Sequence, residues 1–528
     1  MTWPLTPNIT HAGRLDSDDG RFSIWNVAWV ARTLVVNPLG LYDANIFYPR
    51  RNTLAFSEAN IGAGVLAIPA YWMSGGNPYF AHNVVEMLSF VLSLIGTCAL
   101  VRHLTGNSVA GLVSGLAFAF CGYTFSHIPH IQLLLSAGLP ISLLAMHRFI
   151  ERQTVGRTVT LGLVMAAQAL ACGYYGIFAA LAVTPGIVFY SVTRGRWKRW
   201  QYWAGAAAAG LLAIAMVMPF FLPYLELKAT TGFGRNMGEV ERWSARWSSY
   251  LASPAWAHRW MVRRLPPWGE VLYPGTIALV LGVAGAFLAW RTPRGSASKR
   301  DHVMFYGALA VFMAWASLGP RAGLYTVFFR YVPVFTWISS PSRLGLMVTL
   351  ALAVLAGFAA ARLLERSRRP ALVGAVLIAL TIGDLFVAPL LLVQTVPVAA
   401  AYEALKARPF APVAEFPFFN QRIEFYRHAY YMLGSTAHWR PLINGYSDFI
   451  PPEFREMVTA VAPFPNAESF AILKRLGVRY VVFHTHLYRA KDRAQLERQI
   501  ERYRDCLAPV FTGDSTWLYE IVAWPSSG

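Results

Sequence analysis

Apolar residues recur along this chain in blocks long enough to cross a bilayer, each closed by a short polar connection. A hydrocarbon core needs roughly 17–25 such residues in a helix. Ten blocks meet that pattern, near 78–101, 108–125, 131–147, 158–174, 176–193, 201–223, 272–290, 303–319, 344–361 and 371–393. Together they predict a polytopic α-helical membrane protein. The pattern changes after about Gln394. There, β-rich runs at Val478–His484 and Trp517–Trp524, a charged helical stretch around 488–505 and Gly/Pro turns predict a C-terminal soluble α/β domain over 394–528.

Residues 1–77 follow neither pattern. Arg21–Pro38 is apolar with Trp25, Trp29 and Arg32, and Leu54–Trp72 is apolar around Glu58. Both read as amphipathic helices lying at the membrane surface. The domain reading is therefore a first loop with two juxtamembrane helices (1–77), a helical bundle (78–393) and the α/β tail (394–528).

Charge orients this arrangement. There are 46 Lys and Arg against 27 Asp and Glu, and the net charge is +19. The basic residues cluster at Arg148/Arg152/Arg157, Arg194/Arg196/Lys198/Arg199, Arg291/Arg294/Lys299/Arg300 and Arg362/Arg366/Arg368/Arg369. Two apolar blocks separate each cluster from the next, as the retention of Lys and Arg on the cytoplasmic side requires. A nucleic-acid partner gains no support, because no basic domain is present. The same alternation makes 126–130, 174–176, 224–271, 320–343 and the tail exoplasmic. Residues 1–77 are then exoplasmic too, and the topology expects a spanning helix before them, with Thr2-Trp3-Pro4-Leu5 as its last turn. Charged residues make up only 14% of the chain, which excludes an ordinary cytosolic enzyme. Cys98, Cys121 and Cys172 fall in apolar segments and Cys506 stands alone, so neither disulfides nor a metal site is expected.

Candidate chemistry gathers in the exoplasmic segments. Asp18 and Asp19 precede the first surface helix, where a carboxylate is either a general base toward a hydroxyl or a helix cap. Asp16-Ser17-Asp18 also fits a metal-holding D-x-D, without the surrounding nucleotide-binding domain. Glu58, in its apolar segment, is a second base candidate or a carboxylate facing water. Arg343 opens a span at the exoplasmic boundary, suited to a lipid phosphate or to plain headgroup anchoring. His127 and His130 either contact phosphate or cap a helix end, and Tyr174 and Tyr175 either stack on a sugar or line the interface. Glu226, Glu239 and Glu241 precede the Trp/Arg-rich stretch Arg242–Arg264, a solvated face or a cover resting on headgroups. His484 and His486 form an H-x-H pair on an expected strand, with no third metal ligand. No phosphate-binding loop, nucleophile elbow or dinucleotide fingerprint occurs.

Several short motifs add to this. Asp19-Gly20-Arg21-Phe22-Ser23-Ile24-Trp25 with Trp29 leads into Ala44-Asn45-Ile46-Phe47-Tyr48-Pro49, then Phe56-Ser57-Glu58, Gly76-Asn77-Pro78 and Asn83. His127–Gln132, Tyr174-Tyr175-Gly176, Ser340-Pro341-Ser342-Arg343 and Asn444-Gly445-Tyr446 follow. Over most of its length the chain resembles the GT-C superfamily of integral-membrane glycosyltransferases, in particular uncharacterised bacterial members. The resemblance implies two juxtamembrane helices in a first exoplasmic loop carrying a catalytic Asp or Glu, for which Asp19 is the best match and Asp18 the next. It implies an inverting transfer of a sugar from a polyprenyl-phosphate carrier to a glycan, lipid or protein acceptor; members of the superfamily differ in metal requirement, and here neither a cofactor nor a metal is expected. The expected place is the bacterial inner membrane, with membrane lipids as partners and the active face periplasmic. Family members begin with a spanning helix ahead of this loop, in line with the topology. Two other readings are a lipid-linked-glycan flippase or transporter and a non-catalytic envelope assembly protein. The first is disfavoured because few ionisable residues lie inside spans, Glu86 and Asp384 being the exceptions.

Overall fold

The computed structural model describes residues 1–14, 18–290, 297–394 and 400–525. Asp16, Ser17 and the side chain of Asp18 lie outside the described residues, as do Arg291 and Arg294 of the third basic cluster. The chain forms two compact units: a helical unit of Met1–Thr6 with Val85–Leu390, and a mixed unit of Pro7–Val84 with Leu391–Gly528.

Each of the ten apolar blocks contains a helix, the last ending at Asp384 and the one at 272–290 starting at Thr276. Among the described residues, six stretches are long and apolar enough to cross a membrane by their own length: Pro78–Thr105, Ser108–Ser126, Ile131–Glu151, Gly173–Thr193, Trp200–Thr231 and Pro341–Arg366. Val155–Ala171, Thr276–Leu288 and Pro370–Asp384 are shorter apolar helices, and Ala297–Ser317 starts with charged residues and then turns apolar. The chain is a multi-pass membrane protein. Its helices differ sharply in burial. In the most apolar window of Pro341–Arg366, 94% of residues are buried, against 6% in Trp200–Thr231. The first is therefore the core of the bundle, and the second presents its apolar face outward, as a lipid-facing helix does.

Small residues let these helices approach. A Cβ on Gly111 or Gly115 would sit 2.7 Å from the carbonyl oxygen of Cys98 or Leu94 in the preceding helix. Glycines one turn apart thus bring two backbones into contact, a common solution where lipid removes the hydrophobic drive for association.

In the mixed unit, strands β1 (Ala12–Gly13) and β2 (Val393–Gln394) pair antiparallel, joining the start of the chain to its tail. A second sheet holds β3 (Val413–Phe416), β4 (Tyr480–Phe483), β5 (Leu507–Thr512) and β6 (Trp517–Ile521) in the order β3-β4-β6-β5. β3 and β4 run parallel and the other pairs antiparallel. Both β3 and β4 are buried along their whole length; β4 is a continuous apolar run, and β3 buries Glu415 among its apolar residues.

Three local expectations need correction. The first surface helix starts at Asp18 and runs to Val36, so Asp19 lies in its first turn and not in the cap before Arg21. Trp25 and Trp29 on it are buried, and the exposed apolar residues are Val35 and Val36 in its last turn. The second helix, Ile61–Met73, begins only after Glu58, which lies in the connection before it. In the tail β4 ends at Phe483; His484 follows it and His486 sits in a 3₁₀ turn, so the two do not share a strand face.

Candidate functional site

In the helical unit, the sequence Ser340-Pro341-Ser342-Arg343 forms a 3₁₀ turn that runs straight into the Gly345–Arg366 helix. Pro341 stands at the first helical positions, where its missing N–H costs nothing. The turn places the Arg343 guanidinium over the ring of Tyr174, 4.4 Å from its centroid. Tyr174 sits in the first turn of the Gly173–Thr193 helix and is itself fixed, since its hydroxyl meets Ser339 Oγ at 2.8 Å and accepts the Ser339 N–H at 3.2 Å. Among the described residues the Arg343 guanidinium has no hydrogen-bond acceptor; the Tyr174 ring is its recorded side-chain contact. A half-buried guanidinium stacked on a ring keeps its in-plane N–H groups for a ligand.

His127 and Glu270 form a pair in the same unit. Nδ1 of His127 meets the Tyr123 carbonyl at 2.9 Å and Nε2 meets Glu270 Oε1 at 3.4 Å. Both ring nitrogens face acceptors, so a protonated imidazole donates at each. The ring also stacks on Tyr123 at 4.1 Å. Glu270 accepts the Val271 N–H at 3.0 Å and the Ser342 hydroxyl at 3.4 Å, which ties it to the turn carrying Arg343. Burial pushes its carboxyl up, and the His127 imidazole, the Val271 amide and Arg343 outweigh that, holding it below the ordinary carboxylate range.

Of the other candidates, Tyr175 is fully buried, and its hydroxyl donates to the Leu133 carbonyl at 2.7 Å and meets the Tyr123 hydroxyl at 3.3 Å. It braces Tyr123, under His127. His130 lies one turn on, 6.2 Å from His127 between ring centroids. Among the described residues no group of three metal-ligating side chains occurs. Glu239 and Glu241 pair with Arg235 and Arg321 at 2.8 and 2.7 Å, as a solvated face does. The Trp/Arg-rich stretch is a run of short helical turns with Trp243, Trp247, Trp256 and Trp260 all exposed.

Asp19 and Glu58 belong to the mixed unit. Asp19 is half-buried, and the Tyr446 hydroxyl donates to its Oδ1 at 3.2 Å. The Asn444-Gly445-Tyr446 segment that delivers this tyrosine is firmly held. The Asn444 side chain accepts the Glu415 N–H at 2.8 Å and donates to the Glu415 carbonyl at 2.9 Å, completing the edge of β3. A Cβ on Gly445 would lie 2.7 Å from the Phe47 ring, so only glycine fits. Asn45 of the first loop donates to Ser435 Oγ and the Arg440 carbonyl at 3.0 Å each, and accepts from Trp25 at 3.2 Å. The first-loop motifs are thus the parts that dock residues 18–56 onto the tail. Glu58 offers its carbonyl to Asn26 at 3.2 Å.

Sequence reasoning missed Glu270 and named only Glu226, Glu239 and Glu241 in the same loop, as part of a solvated face or cover. The one available signal was local: Pro266-Pro267-Trp268-Gly269 stiffens the chain ahead of Glu270.

No family model and no curated protein sequence matches the chain. Solved structures do. Arabinofuranosyltransferase AftD from Mycobacteria aligns with a TM-score of 0.55 at 14% identity, over 94% of this chain and 39% of its own. The oligosaccharyltransferase AglB from Archaeoglobus fulgidus, solved with an inhibitory peptide and a dolichol-phosphate, aligns at 0.49 and 12% identity, over 96% of this chain and 71% of its own. ArnT from Cupriavidus metallidurans, bound to undecaprenyl phosphate, aligns at 0.44 and 15%, over 94% and 98%. The AftD likeness shows the fold alone: this chain shares the architecture of that structure.

Proposed function

We propose that this protein is an inverting glycosyltransferase that takes a sugar from a polyprenyl-phosphate carrier and passes it to an acceptor hydroxyl on the periplasmic face of a bacterial inner membrane. One observation carries the reading. Arg343, at the head of the most buried apolar helix, holds its guanidinium over the Tyr174 ring with no acceptor among the described residues. A guanidinium with no direct ion pair among the described residues, at the start of a span, suits a phosphate joined to an apolar tail.

In the reaction the acceptor oxygen attacks the anomeric carbon from the face opposite the phosphate, and the bond from that carbon to the phosphate oxygen breaks. Asp19 takes the acceptor proton as the general base. Phosphate leaves without protonation, so one carboxylate suffices where a glycosidase needs two. Arg343 and a protonated His127 stabilise the charge growing on the departing phosphate. The shared AftD fold is compatible with this chemistry.

Lipid mass spectrometry of the protein purified in mild detergent, wild type beside Arg343→Ala, tests the reading. Wild type should retain a polyprenyl-phosphate sugar, and the variant should retain about tenfold less. Bulk phospholipid alone in both samples would overturn it.

A further inference from the structure

The connection between the Trp200–Thr231 and Thr276–Leu288 helices carries a surface that the proposed transfer chemistry does not use. Its sequence Arg242-Trp243-Ser244-Ala245-Arg246-Trp247-Ser248-Ser249 repeats an Arg-Trp pair at a spacing of four, and Arg259-Trp260 supplies a third pair. Exposure follows the repeat. Both members of all three pairs are exposed, whereas Ser244, Ala245, Ser248 and Ser249 are buried. The small residues fasten the inner side. Ser248 Oγ donates to the Pro267 carbonyl at 3.2 Å, the Ala245 N–H to the Ser317 carbonyl at 2.9 Å and the Leu272 N–H to the Ser249 carbonyl at 2.9 Å. A held backbone thus turns the large side chains outward.

Residues 242–269 contain five arginines, five tryptophans and no acidic residue. The carboxylates on either side are already engaged: Glu239 and Glu241 pair with Arg235 and Arg321, and Glu270 with His127. Among the described residues none of the five arginines, Arg242, Arg246, Arg259, Arg263 and Arg264, has a carboxylate partner, and all five are exposed. Arg259 stacks on Trp256, 3.3 Å from its centroid, and that ring is itself fixed, donating its Nε1–H to the Ala388 carbonyl at 3.0 Å. A guanidinium oriented in this way keeps a planar N–H edge that matches two oxygens of a phosphate.

We infer that this surface binds the phosphate headgroups of anionic phospholipids. Two observations choose that occupant. Both ends of the connection run into apolar helices, and the one leading in has only 6% of its most apolar window buried, so lipid surrounds the point from which the surface starts. The composition then fits the boundary of a bilayer. Tryptophan settles between headgroups and acyl chains, and each unpaired basic residue adds attraction to negative headgroups, which a partner carboxylate would cancel.

Binding here needs neither donor nor turnover, so it stands or falls separately from the transferase reading. The full-length protein in phosphatidylcholine nanodiscs, doped with brominated phosphatidylglycerol or brominated phosphatidylcholine at the same mole fraction, tests it. The fluorescence that disappears on combining Trp247→Phe with Trp260→Phe, both at exposed positions, belongs to this surface. Brominated phosphatidylglycerol should quench that fraction about threefold more than brominated phosphatidylcholine does. Replacing all five arginines by Gln should bring the two lipids level, with thermal unfolding near wild type because none of the five is buried or paired. Equal quenching by both lipids in wild type would reduce the surface to plain anchoring by tryptophan, and quenching by neither would take it off the membrane. A preference that survives the five replacements would place the headgroup elsewhere. Displacement of phosphatidylglycerol by soluble polyglutamate would assign the surface to an acidic protein partner. Each of these four results would overturn the proposal.

Discussion

Two carboxylates, one in each unit, live in opposite surroundings. Glu270 keeps only 11% of its side chain exposed and is held by His127, the Val271 amide and the Ser342 hydroxyl. Asp19 is half-buried, in the first turn of its helix, with the Tyr446 hydroxyl on one oxygen. The contrast separates two jobs that an acidic residue can do. Donors that hold a carboxylate below its ordinary range also make it a weak proton acceptor, so Glu270 shapes the field around Arg343 and orients His127. A general base must keep its charge yet accept a proton when the acceptor attacks, the role proposed for Asp19.

The sharpest way to break this assignment is to neutralise each carboxylate in turn. Asp19→Asn should lower transfer about a thousandfold, the middle of the range for removing a general base. The readout is the appearance of sugar-free carrier phosphate, followed by lipid mass spectrometry. Its thermal unfolding should stay near wild type, because the amide still accepts from Tyr446. Transfer persisting at more than a tenth of the wild-type rate would take the base role away from Asp19.

Protons divide the units in a second way. In the mixed unit His428 is fully buried, with Nε2 donating to the Phe419 carbonyl at 3.1 Å and Nδ1 accepting from Asn444 at 3.2 Å. Burial lowers its pKa from 6.5 to about 4. The unfolded chain therefore binds the extra proton first, and stability falls as pH drops from 6.5 toward 4 and is unaffected by this group above that window. The loss is about 2 kcal/mol by pH 5 and on the order of 3 kcal/mol at pH 4. Glu270 has the opposite sign: its folded value is depressed, so its contribution is present above the ordinary carboxylate range and is lost only as pH falls through that lower value. Amide exchange, corrected for intrinsic rates, should show β3 and Asn444 losing protection between pH 7 and 5 while the Gly345–Arg366 helix holds. Loss of protection in both units together would erase the distinction.

How much of this was legible in advance follows from the range of the interactions. The helical blocks were readable because apolar length is a local property, and burial adds to it without changing it. Arg343 could be singled out because a lone cation at the head of a span is visible in one dimension. Its stacking on Tyr174 was not, since 169 positions separate the two and nothing local specifies the contact. The same holds for Glu270, paired with a histidine 143 positions earlier. Asn45 and Asn444 stood out as motif residues, but their use as fasteners between the first loop and the tail depends on strand and turn geometry that no periodicity encodes. The helix start was misjudged by three residues because Asp18, Asp19 and Gly20 all suit a cap, and the helix takes them into its first turn instead.

Glu270→Gln gives a smaller effect that sharpens the comparison. The amide still accepts from Val271 and Ser342, but it no longer attracts a protonated His127. Transfer should fall about tenfold, together with retention of the carrier, because His127 and the turn that carries Arg343 lose the carboxylate that both contact. If the loss matched that of Asp19→Asn, the two carboxylates would share the chemistry and the division between them would fail.

The mildest substitution asks whether Tyr446 does more than pack. Tyr446→Phe keeps the edge-on ring contact with Phe22, whose centroid lies 6.0 Å away, and removes only the hydroxyl that donates to Asp19 Oδ1. A hydrogen bond of 3.2 Å at a half-buried site contributes at the low end of its class, about 0.5–1 kcal/mol. If that bond orients the carboxylate toward the acceptor hydroxyl, kcat should fall about threefold with KM unchanged, since the carboxylate itself and the binding surfaces remain. A rise in KM at constant kcat would show that the hydroxyl serves the acceptor directly, and an unchanged enzyme would show that the helix alone aims Asp19. Either result leaves the contrast with Glu270 in place but changes its explanation, because one carboxylate would then be held by a network and the other by its position in a helical turn.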